Sequence, residues 1–445
     1  MDEKFDGHWL KRFRGSIIPS LRWLVPGLGV KRWFLVVLLG VTLMGVGLAL
    51  LILDVYRTAP ETWWLPLISA ASLRFLPRLW RVVIFGSIGA AMILGGIWRI
   101  NHSLIAPFIR PGRRVVDELA GYRRRERGPR IVVIGGGHGL STLLRGIKEH
   151  SYNITAIVTV ADDGGSSGRL RRSLGILPPG DIRNCLAALS NDEAMLTQLF
   201  QYRFPNEASG LDGHSFGNLF ITALTEITGS FEEAIAESGR VLSVSGRVLP
   251  STLHDVRLVA DVVLPYLVSE VRVEGESQIP ESTGKVSRVW LEPNSPPAFP
   301  KSVQAILAAD LIVIGPGSLY TSILPNLLVP DIAAAIRSSR GLRVYVCNVA
   351  TQSGETEGYT CGDHLEALEA HTGVGLFDIV VSNSLQKGIL PHGIEWVVAE
   401  NSLEADYPLY LAELIDEAQP WRHDAGKLAQ VLMDLLQERT GPLVE

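Results

Sequence analysis

The fold of residues 131–445, called the body below, follows from one stretch of sequence. It is Ile131-Val132-Val133-Ile134-Gly135-Gly136-Gly137-His138-Gly139-Leu140-Ser141. It predicts a buried β-strand, a glycine turn and the start of a helix. Glycines let the backbone approach a ligand closely, and the free N–H groups of a helix start attract phosphate. The stretch therefore favours nucleotide binding, with a tightly packed βα turn as the alternative. It is not the dinucleotide fingerprint, because no G-x-G-x-x-G begins at Gly135 or Gly137.

Short apolar runs of the same kind recur at residues 154–160, 311–314, 344–347 and 377–381, each followed by a helical stretch. Continuous apolar strands that alternate with helices indicate a parallel sheet covered on both faces. Between about residues 256 and 291 apolar and polar positions alternate instead, which predicts a small antiparallel insertion. The sequence thus predicts an α/β body whose ligand site lies at the carboxyl ends of the strands.

The second strand ends in Asp162-Asp163-Gly164-Gly165-Ser166-Ser167-Gly168-Arg169. The two carboxylates could hold a ribose hydroxyl, a Mg²⁺ ion or a reacting hydroxyl. The glycines and serines after them could form an anion-binding nest. A solvated acidic turn is the alternative for Asp163, but it does not account for the neighbouring glycines and serines.

A second strand, glycine turn and helix start occurs at Gly315-Pro316-Gly317-Ser318-Leu319-Tyr320. Two such loops in one domain suit a ligand with two polar ends, such as a diphosphate joined to a sugar and a base. Further polar residues lie at the starts of predicted helices, where they could contact a ligand. They are Asp181, Arg183, Asn184, His214, Asn218 and Arg422. The alternatives are a helix cap for Asp181, a hydrogen-bonded structural role for His214 and a salt bridge for Arg422.

The charge distribution separates a basic head from an acidic body. Residues 1–130 hold 20 Lys and Arg against 8 Asp and Glu, and the rest of the chain holds 21 against 38. A nucleic-acid binder would carry its basic stripe on the folded domain, so this class is excluded. A basic, apolar head fits an anionic membrane surface instead. The three cysteines lack zinc or disulfide spacing and indicate a reducing compartment.

Two uncharged runs, residues 33–53 and 82–98, predict transmembrane helices. Seven Lys and Arg precede the first run and nine lie in residues 99–130, so the positive-inside rule places both chain ends in the cytoplasm. We therefore expect a membrane anchor at 1–110, a basic juxtamembrane linker at 111–130 and the nucleotide-binding body at 131–445. The expected location is the cytoplasmic membrane.

Taken together, GGGHGLS, ADDGGSSGRL, PPGDIRN, HSFGNLF, GPGSLYTSILPNLLVP, CNVATQSGETEGYT and RHD resemble the YvcK/CofD-like family, which includes gluconeogenesis factors. The resemblance runs from residue 131 to about 436. It implies a Rossmann-like, doubly wound, mainly parallel sheet. In the YvcK branch it implies binding of UDP-N-acetylglucosamine by a regulator of cell-wall (peptidoglycan) precursor supply and cell shape. His138 stands where the family pattern usually has Thr.

The resemblance also places the ligand-binding residues. It assigns two glycine loops, an acidic loop between them, and further contacts beside the ligand. The assigned residues are Gly135, Gly136, Gly137, Gly139, Ser141, Asp162, Asp163, Gly165, Ser166, Asn184, His214, Asn218, Gly315, Gly317, Ser318, Tyr320 and Arg422.

Three functions compete at this point. The first is a nucleotide-sugar-binding regulator that is not itself an enzyme. The second is a CofD-type transferase that moves a phospholactyl group from a guanosine nucleotide to a deazaflavin, with Asp162 or Asp163 holding Mg²⁺ or taking the acceptor proton. The third, a nicotinamide-dependent oxidoreductase, is disfavoured by the missing fingerprint glycine. The expected partners are a UDP-sugar or other nucleotide, the membrane, a cell-wall precursor enzyme and further copies of the chain, but no nucleic acid.

Overall fold

A computed structural model describes residues 76–105, 125–190, 195–205, 210–264, 269–282, 284–400 and 407–440, with Leu38, Val41, Thr42, Gly45, Ala49 and Leu403. The chain forms two compact units, Met1–Arg123 and Arg124–Glu445. The second unit therefore begins seven residues before the predicted start of the body.

The first unit contains helix α1, Arg78–Ile105, which includes the predicted second span at 82–98. The predicted first span at 33–53 lies almost entirely outside the described residues. In the described ranges no single helix is long and apolar enough to cross a membrane; a pair bent by 75°, Leu319–Leu327 and Pro330–Ser338, passes by length and composition. This finding does not support the predicted pair of spans.

The second unit is built on a seven-stranded sheet in which every described pairing is parallel. Its strands occur in the order β10-β9-β8-β7-β1-β2-β3. The strands are β1 Ile131–Gly135, β2 Ile154–Val158, β3 Arg247–Pro250, β7 Leu311–Ile314, β8 Leu342–Val346, β9 Ile379–Asn383 and β10 Leu409–Ala412. The α/β prediction is confirmed, and the edge strands β3 and β10 are additions to the five predicted strands.

The strand order places the functional edge of the sheet. From β1 the chain moves outward to β2 and β3, and then returns to β7 on the other side of β1. The order reverses between β1 and β7, and ligands of doubly wound sheets bind at such a switch point. Both predicted glycine loops follow these two strands. The topology therefore brings them to the same place.

The predicted antiparallel insertion is also confirmed. It is a three-stranded sheet in the order β5-β4-β6. The strands are β4 Arg257–Val263, β5 Glu270–Glu274 and β6 Lys285–Glu292. Two 3₁₀ turns, Glu276–Gln278 and Pro280–Ser282, connect β5 with β6.

Helices connect the parallel strands and pack on the sheet, whose strands β1, β2 and β7 are buried along their whole length. Local signals set the helix ends; for example, Ser215 caps α6 by accepting from the backbone N–H of Asn218, and Gly229 ends it in a left-handed conformation. The helices are α2 Gly137–Ile147, α3 Gly165–Leu174, α4 Gly180–Leu189, α5 Met195–Gln201, α6 Phe216–Thr228, α7 Phe231–Val241, α8 Pro300–Leu307, α9 Leu324–Leu327, α10 Pro330–Ser338, α11 Cys361–Thr372 and α12 Ala425–Thr440, with a π-helical turn at Leu319–Ile323.

Candidate nucleotide-binding site

The two glycine loops touch each other. A Cβ atom on Gly139 would lie 2.6 Å from the carbonyl oxygen of Pro316 and 2.9 Å from the Cα of Gly317, so only glycine allows this approach. Gly137 adopts a φ of 62°, which also favours glycine. The loops after β1 and β7 therefore form one continuous backbone surface at the switch point.

A cavity of about 590 Å³ opens beside these loops. Several residues expected from the sequence line it, and they come from both glycine loops, the end of β2 and the segment before α12. These residues are Gly136, Gly137, Gly139, Asp162, Gly317, Ser318 and Arg422. The volume lies in the range of small-molecule ligand pockets.

The structure places the other expected residues outside the lining of this cavity. Gly135 ends β1, Gly315 follows β7, and Ser141 donates to the carbonyl of Gly137 within its own helix. Tyr320 is buried, and its hydroxyl bonds that of Tyr359 at 2.8 Å. The remaining ones form contacts elsewhere, described below: Asp163, Gly165, Ser166, Asn184, His214 and Asn218.

Four carboxyl groups line the cavity, from Asp162, Asp181, Glu276 and Glu355. Burial, followed by the charge of Asp162, raises the pKa of Asp181 to about 7. Burial and the neighbouring Asp162 and Asp181 raise the pKa of Glu276 to about 9. Burial also raises the pKa of Asp162 and of Glu355. Near neutral pH the cavity is therefore less negative than its four carboxyls suggest, because Glu276 holds a proton.

Asp181 does not cap its helix. Helix α4 follows Pro179 as its N-cap residue, and Asp181 lies in the first turn. The Asp181 carboxylate accepts from the backbone N–H of Gly137, and a Cβ atom on Gly136 would lie 2.5 Å from its Oδ2. The carboxylate thus orders the first glycine loop instead of the helix end.

Asp163 holds the antiparallel insertion against the sheet. Its Oδ1 accepts from the backbone N–H of Ser277 at 2.9 Å, and a Cβ atom on Gly275 would lie 2.2 Å from its Oδ2. This contact places the 3₁₀ turn Glu276–Gln278, and with it the carboxyl of Glu276, at the cavity. The carboxylate of Asp163 therefore anchors the insertion, and its predicted contact with a ligand stays a prediction.

The second glycine loop is held by side chains from the segment after β8. Asn348 donates from Nδ2 to the carbonyl of Gly317 at 2.8 Å and accepts from its N–H at 3.2 Å. Gln352 donates to the hydroxyl of Ser318 at 2.8 Å. Glu355 accepts from the hydroxyl of Thr321 at 2.9 Å. These bonds order the loop before any ligand arrives, which lowers the entropy cost of binding.

The segment before α12 contributes Trp421, Arg422 and His423 to the cavity. His423 is buried, and desolvation lowers its pKa to about 4, so the ring is neutral at pH 7. One ring nitrogen bonds the backbone of Cys347, and Nε2 has no partner among the described residues. The exposed Arg422 is the one arginine in a lining that includes four carboxyls. Arginine pairs anionic groups well, so Arg422 is the lining residue best suited to an anion.

A metal ion would find few protein ligands here. Across the described ranges no three His, Cys, Asp or Glu side chains are grouped to hold one. Mg²⁺ usually takes one or two carboxylates together with ligand phosphates. Asp162 and Asp181 fit that pattern, whereas Asp163 is bonded to Ser277. The donor set therefore fits Mg²⁺ only together with a bound phosphate.

Serine, histidine and asparagine side chains form a second polar group beside the cavity. The hydroxyl of Ser166 bonds His214 Nδ1 at 3.0 Å and accepts from Asn218 Nδ2 at 3.1 Å. Asn184 accepts from Arg183 at 2.9 Å. Gly165 begins α3 at the edge of this group with a φ of 45°. The structure thus brings these predicted residues together, but with each other and not in the cavity.

Sequence reasoning missed Glu276, Glu355 and His423 as cavity residues. Glu355 and His423 lie in the sequence motifs CNVATQSGETEGYT and RHD, which offered a usable signal. No sequence feature predicts that Glu276 lies at the cavity, because only the anchoring of the insertion on Asp163 brings it to the sheet.

Comparison with known proteins shows the family of this chain. The family model described as 2-phospho-L-lactate transferase CofD matches residues 131–440. This chain belongs to the CofD family. Among its relatives, the gluconeogenesis factor of Bacillus subtilis is 47% identical over 322 residues, which are 70% of this chain and 99% of that protein. A relative from Nostoc sp. is 52% identical over 369 residues, covering 81% of this chain and 78% of its own.

A solved structure is similar to this chain. The crystal structure of a UPF0052 family member from Bacillus halodurans is 46% identical and aligns with a TM-score of 0.64. The match covers 69% of this chain and 99% of that protein.

Proposed function

We propose that the cavity binds a nucleotide sugar of the UDP-N-acetylglucosamine class, and that the protein is a regulator of the gluconeogenesis factor type linked to peptidoglycan precursor supply and cell shape. The observation that carries the proposal is the contact between the two glycine loops at the switch point. Backbone N–H groups at turn-to-helix junctions bind phosphate without a side-chain charge. This suits a diphosphate in a cavity that also holds carboxyls.

The other lining residues support the same ligand class. Carboxyl groups such as Asp162 accept hydrogen bonds from sugar hydroxyls. Trp421 offers an aromatic face for a base, and Arg422 a paired contact for phosphate. Nε2 of His423 has no partner among the described residues, so it can accept a hydrogen bond from a ligand N–H or O–H.

The test is calorimetry of UDP-N-acetylglucosamine with the protein and its Arg422→Ala variant. Loss of a charge-assisted contact costs about 1.5–3 kcal/mol, so we expect binding at least about tenfold weaker in the variant. Arg340→Ala, which removes an exposed arginine outside the cavity, should bind like the unaltered protein. Absence of binding at millimolar ligand would refute the proposal.

A CofD-type transferase is the second candidate, favoured by the family model and by the two carboxyls Asp162 and Asp181. Magnesium would supply charge neutralisation of the donor phosphates there, and one of the carboxylates would take the acceptor proton. Turnover of a guanosine-activated donor with a deazaflavin acceptor tests this directly. If the unaltered protein, with both carboxyls intact, shows no turnover, the regulator remains the better account.

We propose further that residues 1–110 hold the body at the cytoplasmic membrane. The charge asymmetry of the chain supports this, and so do large apolar side chains exposed on α1, among them Leu79 at 80% and Met92 at 73%. Such exposed apolar surface marks a membrane or partner contact.

A further inference from the structure

A groove lies along the edge of the seven-stranded sheet that is formed by β3. Within the described ranges β3 pairs with β2 on one side and with no strand on the other. The groove has a volume of about 690 Å³, and β3 contributes Arg247, Val248 and Leu249 to its lining. Helices α7 and α8 contribute most of the other lining residues. The groove therefore has an edge strand as its floor and two helices as its walls.

The backbone of β3 presents hydrogen-bonding groups to this groove. The N–H of Ser251, just beyond the strand, donates to the carbonyl of Val158 in β2 at 2.9 Å. In a parallel ladder every second residue bonds the same neighbour, so Val248 and Pro250 face away from β2. The carbonyl of Pro250 accepts from the hydroxyl of Ser302 at 2.7 Å, and proline has no N–H. The N–H and C=O of Val248 are therefore left for a further strand.

Small side chains keep the groove open above this edge. Gly239 lies inside α7, where glycine is unfavourable compared with alanine. A Cβ atom on Gly239 would lie 3.7 Å from Leu186 and 3.9 Å from Val244, which is ordinary contact, so packing does not require a glycine here. Ala236 of α7 and Ala305 of α8 also line the groove. The space that they leave suits the side chains of an added segment.

The charged residues of the lining are mostly cations. They are Arg240, Arg247 and Lys301, against the single carboxylate of Glu232. Lys301 pairs with Glu232 and so joins α7 to α8, whereas Arg240 pairs with the neighbouring Glu237 of its own helix. Arg247 is exposed and forms no ion pair with the residues that the structure describes. The groove is thus positively charged within a body that carries more acidic than basic residues.

Another copy of this chain fits the groove poorly. Two β3 edges that met around Val248 would bring Arg240 and Arg247 of both copies to one interface, where like charges repel each other. An acidic segment would meet the same cations with an attractive charge. Charge complementarity therefore favours an acidic partner over a second copy.

We propose that this groove binds an extended, acidic segment of a partner protein, which adds a strand to the sheet beside β3. Main-chain hydrogen bonds to Val248 would align the segment, as in other cases of strand addition. Its apolar side chains would contact the small residues of α7 and α8, and its carboxylates would contact Arg240 and Arg247. The proposal does not rest on the identity of the cavity ligand.

The experiment begins with a phage-displayed library of random twelve-residue peptides, selected on the full chain. We expect the enriched peptides to combine β-branched residues with Asp or Glu. The most enriched peptide is then labelled, and fluorescence anisotropy measures its binding to the unaltered protein and to three variants.

The variants separate shape from charge. Gly239→Leu fills the groove, so we expect binding at least about tenfold weaker. Arg247→Glu reverses an exposed charge and should weaken binding about two- to fivefold. Arg340→Glu changes an exposed arginine outside the groove and should bind the peptide unchanged. Thermal unfolding verifies that each variant folds, and Arg247→Glu carries the test if Gly239→Leu does not fold.

Methylation of the peptide backbone tests strand pairing directly. Only alternate residues of an added strand donate their N–H groups to β3. N-methyl groups on one alternate set of residues should therefore abolish binding, and N-methyl groups on the other set should leave it. A peptide whose acidic residues are replaced by lysine should bind Arg247→Glu more tightly than the unaltered protein.

Other outcomes would overturn the proposal. Absence of enriched peptides, or equal binding by Gly239→Leu and the unaltered protein, would show that the groove is not a peptide site. Equal loss of binding from both methylated sets would indicate an occupant that is not a strand. If Gly239→Leu instead converts a dimer to a monomer in analytical ultracentrifugation, the groove joins two copies of this chain.

Discussion

At the scale of single residues, Glu276 couples the state of the cavity to pH. Its pKa of about 9 in the folded protein lies well above its ordinary value of 4.5, because burial and nearby carboxylates disfavour the charged form. Between these two values the folded state holds a proton that the unfolded chain releases. The free energy of unfolding therefore falls as the pH rises through this window.

Glu276→Gln should remove this part of the pH dependence. We expect the unaltered protein to lose at least about 1 kcal/mol more stability than the variant between pH 6 and pH 9. Urea unfolding at several pH values measures the difference. Glu281→Gln, an exposed carboxyl of the same insertion, is the matched control and should follow the unaltered protein. Parallel pH curves for Glu276→Gln and the unaltered protein would contradict the assignment.

The residue scale also shows which side chains the sequence could identify. Gly139, Asp162 and Arg422 follow predicted strands or begin predicted helices, and they line the cavity. Asp163 looks equivalent to Asp162 in the sequence, and no neighbouring residue predicts that its carboxylate faces the insertion. Its partner, the backbone N–H of Ser277, lies more than a hundred residues away in the chain.

At the scale of elements, the antiparallel insertion forms part of the cavity through a small number of contacts. Asp163 binds the backbone N–H of Ser277, and Gly354 meets the carbonyl of Pro280 at such close range that a Cβ atom would lie 2.1 Å away. The turns at residues 276–282 therefore rest on the end of β2 and on the segment after β8.

Asp163→Ala should loosen these turns. A hydrogen bond to a charged acceptor contributes about 1.5–3 kcal/mol, so we expect faster amide hydrogen exchange in residues 270–282. Asp163→Asn keeps an acceptor oxygen and should show an intermediate effect. Hydrogen exchange followed by mass spectrometry gives the measurement, with α12 as an internal reference. Unchanged exchange in residues 270–282 of the alanine variant would show that the anchor lies elsewhere.

At the scale of the whole molecule, the question is what the basic head does for the acidic body. If residues 1–110 anchor the chain, we expect it to sediment with membranes, to stay there in high salt and to be released by detergent. The reason is that apolar burial, unlike surface charge attraction, is not screened by salt. Cell fractionation with salt and detergent extraction measures this.

A chain that begins at Gly128 provides the control for this experiment. It retains the α/β body, and a solved structure that matches over 99% of its own chain covers 69% of this chain. It should remain in the supernatant. Release of the full chain by salt alone would point to electrostatic attachment in place of an apolar anchor, and a full chain in the supernatant would refute membrane attachment.

The α/β class, the central strands, the antiparallel insertion and the two glycine loops could all be predicted from the amino-acid sequence. These features are local: apolar runs, turn glycines and helix starts are written in neighbouring residues. The order β3-β2-β1-β7 was not readable in this way, because it depends on how distant strands pair. Only the packed fold shows that the two loops touch, that Asp163 holds the insertion, and that Ser166, His214 and Asn218 contact one another outside the cavity lining. Each of these contacts joins segments far apart in the chain, and such contacts exist only once the core has packed.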